Sequence, residues 1–106
     1  MAKKQTITFG MYLRSLRKTS QMTLKDVSIK TGIDISLLAK IERSERQPTR
    51  DFIKNAANLF NIDEKKLLEE YLSEQIAYKI LDEDIDLNIL KVAENKVSFL
   101  KRIRNG

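Results

Sequence analysis

The sequence predicts an all-α fold, and three observations support this. Only three of the 106 residues are glycine and one is proline, so few residues interrupt helices. Hydrophobic residues make up 42% of the chain, enough for one small, compact domain with an extension. In several segments the apolar residues recur at helical spacing. The individual helices can be placed from their caps and faces.

Two short amphipathic helices are predicted on either side of a tight turn. Thr23 and Asp26 form a variant capping box, so the first of these helices should begin near Leu24. Gly32 suits a helix end in left-handed conformation, and Asp34 is among the best N-cap residues. One helix therefore ends and another begins within three residues, which is the pattern of a helix-turn-helix.

The second helix of this pair has two different faces. Leu37, Leu38 and Ile41 supply its apolar side. The other face, which is available for contact with another molecule, carries Ile35, Ser36, Ala39, Lys40 and Arg43.

Four blocks of sequence, in order, carry a family resemblance. They are residues 9–17, the turn at 31–33, residues 41–49, and an apolar pattern within 53–68. Together these blocks resemble the Xre/Cro-type, or lambda-repressor-like, family of helix-turn-helix DNA-binding transcriptional regulators, over about residues 9–70. The resemblance implies a five-helix lambda-repressor-like DNA-binding domain, and it extends to restriction-modification controller proteins.

The resemblance places a recognition helix at about residues 35–43 and assigns it to the major groove of double-stranded DNA. Lysine suits the O6 and N7 atoms of guanine, a serine hydroxyl can donate or accept, and an isoleucine can pack on a thymine methyl. For Ile35, packing near the helix start is an alternative role. The residues expected to contact base edges are Ile35, Ser36, Ala39 and Lys40.

Phosphate contacts are expected from basic and polar residues around the same helices and from amides at helix N-termini. The family commonly has a glutamine where this chain has Leu24, which cannot bond to a phosphate. Lys25, Arg50 or Lys54 would compensate for it. Lys3 and Lys4 are either a basic arm or part of a disordered tail. The expected phosphate contacts are Thr23, Lys25, Arg43, Arg46, Gln47, Thr49 and Arg50.

Arg17 and Glu42 match family positions that form an ion pair beneath the recognition helix. The resemblance therefore implies a structural ion pair, with Glu42 as a positioning group and not a catalytic one. Desolvation offsets most of the attraction in such a pair, so its main value is orientation.

Charge is unevenly distributed along the chain. The net charge of the whole chain is +5, but residues 1–62 carry +7 and residues 63–106 carry −2. Basic residues on a helix surface are often only solubilising, but beside a helix-turn-helix they favour a polyanion as the partner.

After Asp63, a candidate N-cap, apolar residues at helical spacing predict a long fifth helix, and a sixth is predicted at about residues 86–103. The apolar stripe needs a partner, and a homodimer is the preferred one; packing on the chain's own first domain is the alternative. The predicted divisions are a basic tail at 1–5, the DNA-binding domain at 6–70 and a helical extension at 71–106. The residues assigned to dimerisation are Tyr71, Leu72, Ile76, Ile80, Leu90, Val97 and Leu100.

An enzyme is not expected, because the chain has no histidine, no cysteine and no glycine-rich phosphate loop. The acidic stretch at 82–86 fits a turn with helix caps better than a metal site, so neither metal nor cofactor is predicted. The start of the chain lacks the apolar core of a signal peptide, which predicts a cytoplasmic protein. The open roles are a phage repressor, a restriction-modification controller, and an antitoxin or protein-interaction module.

Overall fold

The computed structural model describes residues 6–106 and consists of six α-helices in that range. The predicted tail at 1–5, with Lys3 and Lys4, lies outside the described residues. The all-α prediction is confirmed. The helices are α1 (Phe9–Thr19), α2 (Leu24–Thr31), α3 (Ile35–Glu42), α4 (Arg50–Leu59), α5 (Glu64–Asp82) and α6 (Ile89–Asn105).

The chain divides into two compact units, one ending at Glu74 and the other spanning Gln75–Gly106. The helix α5 contributes to both units. The functional boundary between residues 70 and 71 stays a prediction.

A single hydrophobic core holds the first unit together. Each of α1 to α5 contributes at least one residue to it, because each presents an apolar stripe at helical spacing. Leu13, Leu38 and Leu67 are completely buried. The buried core residues are Phe9, Leu13, Val27, Leu38, Ile41, Phe52, Ile53, Ala56, Ala57 and Leu67.

The first four helices begin with the same local device. In each, an N-cap oxygen accepts a hydrogen bond from the amide three residues later, which satisfies one of the unpaired donors of the first turn. The four N-caps are Thr8, Thr23, Asp34 and Thr49. The predicted helix starts after Thr23 and Asp34 are therefore confirmed.

Two residues after the ends of α1, α3, α4 and α5, the backbone has a positive φ at a residue that is not glycine. These residues are Gln21, Ser44, Asn61 and Asp84, with φ between 50° and 62°. After each, the next amide donates to a carbonyl five residues back, as Glu45 N does to Lys40 O at 2.9 Å. Ser44 has a left-handed backbone, φ 62°, a conformation that glycine adopts without steric cost.

Phe9 connects α1 to α5. The amide of Phe9 donates to Glu74 Oε1 at 3.0 Å, so an α5 carboxylate helps to cap the start of α1. The rings of Phe9 and Tyr71 meet edge to face, with centroids 5.9 Å apart. The α5 helix is therefore part of the first domain's core as far as Glu74.

The second unit buries none of its residues, and every residue of α6 is exposed. The sixth helix was predicted from about residue 86 but begins at Ile89. The reason is local: Asp86 Oδ1 accepts the amide of Asn88 at 2.7 Å, which forms a turn ahead of the helix.

Within residues 6–106, no helix combines the length and the apolar character needed to cross a membrane. The same residues contain no group of three or more acidic, histidine or cysteine side chains arranged to hold a metal ion.

Candidate nucleic-acid interface

The α2–turn–α3 segment is built by its own caps. Thr23 and Asp26 form the predicted capping box, with Thr23 N donating to Asp26 Oδ2 at 2.8 Å and Asp26 N donating to Thr23 Oγ1 at 3.0 Å. Gly32 ends α2 with φ 78°, a conformation that costs glycine nothing. Asp34 Oδ2 then accepts the amide of Leu37 and starts α3. The predicted helix-turn-helix is confirmed in its backbone.

Two hydroxyl groups brace the turn. Ser28 Oγ donates to the carbonyl of Ile33 at 2.5 Å, and Thr31 Oγ1 donates to the carbonyl of Val27 at 2.6 Å. Ser28 therefore links α2 to the residue just before the α3 cap. Sequence reasoning missed Ser28, because its carbonyl partner becomes its neighbour only once the chain turns at Gly32.

The two faces of α3 separate as predicted. Leu38 and Ile41 are buried in the core. On the other side Ser36 and Lys40 are exposed, and Ile35 retains 43% of its accessible surface. Ala39 is half-buried between the two faces. The structure therefore groups the four expected base-contact residues on one helix, three of them accessible to a partner.

The predicted pair of Arg17 and Glu42 is formed in bidentate geometry. Arg17 Nε donates to Glu42 Oε2 at 2.8 Å and Nη2 donates to Oε1 at 3.0 Å. A third bond runs from Arg17 Nη1 to the carbonyl of Met22 at 3.0 Å. The hydrogen bond to Glu42 raises the pKa of Arg17, against the opposing effect of burial. One side chain thus ties α1 to the end of α3 and to the residue before the α2 cap.

Gly10 allows α1 to approach the end of α3 closely. A Cβ atom at this position would lie 2.4 Å from the carbonyl oxygen of Ile41 and 2.6 Å from that of Glu42. Both are backbone atoms, so neither can be moved by a side-chain rotation. The absence of a side chain at Gly10 therefore sets the distance between α1 and α3.

The expected phosphate-contact residues are all exposed, but one of them, Arg43, is already bonded to another side chain. Thr23, Lys25, Arg46, Gln47, Thr49 and Arg50 are exposed. Arg43 is also about half exposed, and its Nε is bonded to the carboxylate of Glu45. Sequence reasoning missed Glu45; the signal was an acidic residue two positions after Arg43 in an otherwise basic segment. The Glu45 carboxylate therefore occupies one of the donors of Arg43 and offsets part of its charge toward a phosphate.

The N-terminus of α2 already holds an anionic group. The hydrogen bonds from the backbone and hydroxyl of Thr23 lower the pKa of Asp26, so its carboxylate is strongly favoured there. The amide of Thr23 is occupied by that carboxylate.

Leu24, the departure from the family's usual glutamine, packs against the hydrophobic core.

Two expected phosphate-contact residues, Gln47 and Thr49, line one open groove of about 210 Å³ between the helix-turn-helix and α4. The floor of this groove includes Ile33, Leu37 and Phe52. The groove therefore brings the polar residues after α3 next to the turn.

Five of the seven residues assigned to dimerisation are exposed, and the other two are half-buried. Leu72, Ile76, Leu90, Val97 and Leu100 are all at least 44% exposed. Ile80 is half-buried. Tyr71 packs against Phe9 in the first domain's core, so part of its ring is already covered.

Comparison with known proteins identifies the family of this fold. The helix-turn-helix domain family matches residues 10–73, more than half of the chain. This chain is a helix-turn-helix protein. YazB, an HTH-type transcriptional regulator of Bacillus subtilis, is 34% identical to this helix-turn-helix protein over 59 residues, which cover 56% of the chain and 86% of YazB.

Solved structures agree with this assignment. The restriction-modification controller protein C.AhdI from Aeromonas hydrophila is 27% identical, with a TM-score of 0.52 over 56% of this chain and 89% of C.AhdI. A structure of the SinR protein/SinI protein complex has the same fold at 18% identity, with a TM-score of 0.55 over 90% of this chain and 99% of that one. These matches confirm the resemblance to Xre/Cro-type DNA-binding transcriptional regulators.

Proposed function

We propose that this helix-turn-helix protein regulates transcription by binding a palindromic operator in double-stranded DNA as a homodimer. The observation that carries the proposal is the position of α3. Its inner side is buried at Leu38 and Ile41, while Ser36 and Lys40 project from its exposed side. A helix held in this way is suited to enter the major groove without rearrangement of the domain.

In this proposal the front of α3 contacts base edges. Lys40 donates to guanine, Ser36 bonds to an adjacent base edge, and Ile35 packs on a thymine methyl, with Ala39 beside them. The exposed 43% of Ile35 supports contact outside the domain more than a role in its core.

Phosphate contacts would orient the domain on the duplex without selecting sequence. Arg46 and Arg50 supply positive charge on either side of the α4 cap, and both are exposed. Gln47 and Thr49 both line the groove beside the turn. The remaining proposed phosphate contacts are Thr23, Lys25 and Arg43.

A homodimer follows from the energetics of reading DNA with a small domain. One module makes few contacts, whereas two linked modules add their contacts and read a two-fold symmetric site. The half-sites would lie about 34 Å apart, or a multiple of that distance. Exposed apolar residues on α5 and α6, including Ile76 and Leu100, supply the surface for pairing.

Within this class we propose the role of a controller or stand-alone regulator. The similarity to the restriction-modification controller C.AhdI supports it, because that match covers 89% of C.AhdI at 27% identity. A second candidate is a protein-interaction module, such as an antitoxin, whose C-terminal helices bind a different protein. Every residue of α6 is exposed, so this helix could bind a different protein as well as a second copy of the chain.

The decisive experiment is a genomic-fragment selection with the purified full chain at near-physiological salt. Recovery of one two-fold symmetric motif, protected by a dimer in footprinting, would support the proposed function. Weak, salt-sensitive retention of every fragment without a motif would contradict it. Capture of one stoichiometric protein from the native host, with no DNA motif, would instead support the interaction module.

A further inference from the structure

The sixth helix exposes a broad apolar face. At 100° per residue, eight apolar residues occupy about half of the circumference of α6. Three of them illustrate the exposure: Ile103 retains 60% of its surface, Phe99 53% and Val97 51%. The eight are Ile89, Leu90, Val92, Ala93, Val97, Phe99, Leu100 and Ile103. A helix of this kind is normally stabilised by packing that face against another element.

The charges at the two ends of this helix are opposite. Four of the five residues at 82–86, the end of α5 and the start of the connection to α6, carry carboxylates. From residue 96 onward α6 instead carries Lys96, Lys101, Arg102 and Arg104 and no acidic residue. The segment 82–105 is therefore acidic before the helix and basic at its far end.

We infer that the occupant of this face is α6 of a second copy, packed antiparallel across a two-fold axis. The inference rests on the proposed homodimer and specifies its interface. In an antiparallel pair the basic end of each helix lies beside the acidic connection of the other. A parallel pair would place the basic ends together and the acidic connections together, and like charges in contact repel.

The dimensions agree with this arrangement. A helix of 17 residues is about 25 Å long, so a symmetric antiparallel pair aligns each end with the opposite end of its partner. Arg102 and Arg104 then come within reach of Asp86 and Asp84 through their long side chains. The apolar face is the same surface on both copies, as an isologous two-fold interface requires.

The absence of cysteine from the chain permits a direct test of orientation. The two sites are Ile89 and Ile103, which lie on the apolar face near its two ends. Full-length Ile89→Cys and Ile103→Cys variants would be oxidised separately and as an equimolar mixture. Sedimentation would first show that each variant has the oligomeric state of the parent chain.

Antiparallel packing predicts an 89–103 disulfide in the mixture and little disulfide in either variant alone, because identical sites are then about 21 Å apart. Efficient 89–89 and 103–103 disulfides would overturn the inference in favour of a parallel pair. A chain that is monomeric at all concentrations would overturn it too, together with the dimer part of the proposed function. A dimer with same-site disulfides would leave the proposed function intact.

Charge reversal provides an independent measurement. The Arg102→Glu/Arg104→Glu and Asp84→Lys/Asp86→Lys chains should each dimerise about tenfold more weakly at low salt than the parent. An equimolar mixture of the two should recover dimerisation, because each contact is attractive again. Circular dichroism would verify equal helix content. Unchanged dimerisation of both variants at low salt would overturn the inference.

Discussion

Arg17 and Glu42 join the first helix to the end of the recognition helix through two hydrogen bonds, at 2.8 and 3.0 Å. Only 12% of the Arg17 side chain and 5% of the Glu42 side chain are exposed. At that degree of burial, a charge that loses its partner is costly, whereas the loss of both charges is much less so. The pair therefore fixes the position of α3 and makes the domain sensitive to any single change within it.

The first prediction concerns this pair. Glu42→Ala should reduce the free energy of unfolding by about 3 kcal/mol, because Arg17 is left largely buried without its carboxylate. Arg17→Met/Glu42→Leu should lose less than the sum of the two single variants. Urea unfolding of the parent, Glu42→Ala, the double variant and its two single components, Arg17→Met and Glu42→Leu, measures the differences. Arg14→Met, an exposed change on α1, is the control and should have little effect.

The second prediction concerns Gly10. Alanine usually stabilises a helix relative to glycine by about 1 kcal/mol, but Gly10→Ala should destabilise the domain by about 2 kcal/mol. The added Cβ would meet two backbone oxygens of α3 at 2.4 and 2.6 Å. Thermal unfolding, with exposed Ser15→Ala on the same helix as control, measures the sign. An increase in stability would show that α1 and α3 can separate without cost.

The third prediction separates sequence recognition from general affinity for DNA. Lys40→Ala should reduce discrimination at one base pair of the operator by about 1–3 kcal/mol. Arg46→Ala should weaken binding to all sequences by a similar factor and reduce the salt slope by about one unit. Titrations with operator and scrambled DNA at several salt concentrations measure both. Equal losses on the two DNAs for Lys40→Ala would remove Lys40 from the base-contact set.

The fourth prediction concerns Glu45, whose carboxylate bonds to Arg43. Glu45→Gln should strengthen binding to all DNA sequences about fivefold at low salt, because it frees Arg43 and removes a charge that repels phosphate. Glu69→Gln, at an exposed position on α5, is the matched control for the change in net charge. Equal effects of the two variants would contradict the prediction that Glu45 restrains Arg43, and would leave only the change in net charge.

The fifth prediction concerns the dependence of stability on pH. The hydrogen bonds from Thr23 lower the pKa of Asp26 below its ordinary value of 3.8. A carboxylate with a lowered folded-state pKa stabilises the fold above its unfolded pKa, and this contribution is lost as the pH falls through the folded one. The melting-temperature difference between the parent and Asp26→Ala should therefore be constant near neutral pH and shrink below about 3.8. A difference that persists undiminished at lower pH would contradict the assigned charge effect.

Local features of the chain account for most of what could be predicted. The caps at Thr23 and Asp34 and the left-handed Gly32 depend on neighbouring residues, so short-range hydrogen bonding determines them. The buried side of α3 follows in the same way from helical spacing. The Arg17–Glu42 pair lies 25 residues apart and was predicted only from the family resemblance.

Tertiary packing decided the contacts that no local pattern contains. Gly10 resembles an ordinary glycine in a helix until the backbone of α3 is placed against it. Glu74 caps α1 from 65 residues away, although along the chain it is one acidic residue among several on α5. Hydrogen bonds between residues that are close in sequence depend on a few torsion angles. The contacts of Gly10 and Glu74 instead depend on the packing of the whole core. Only the folded chain determines which distant groups meet, and it also determines that α6 keeps its apolar face exposed.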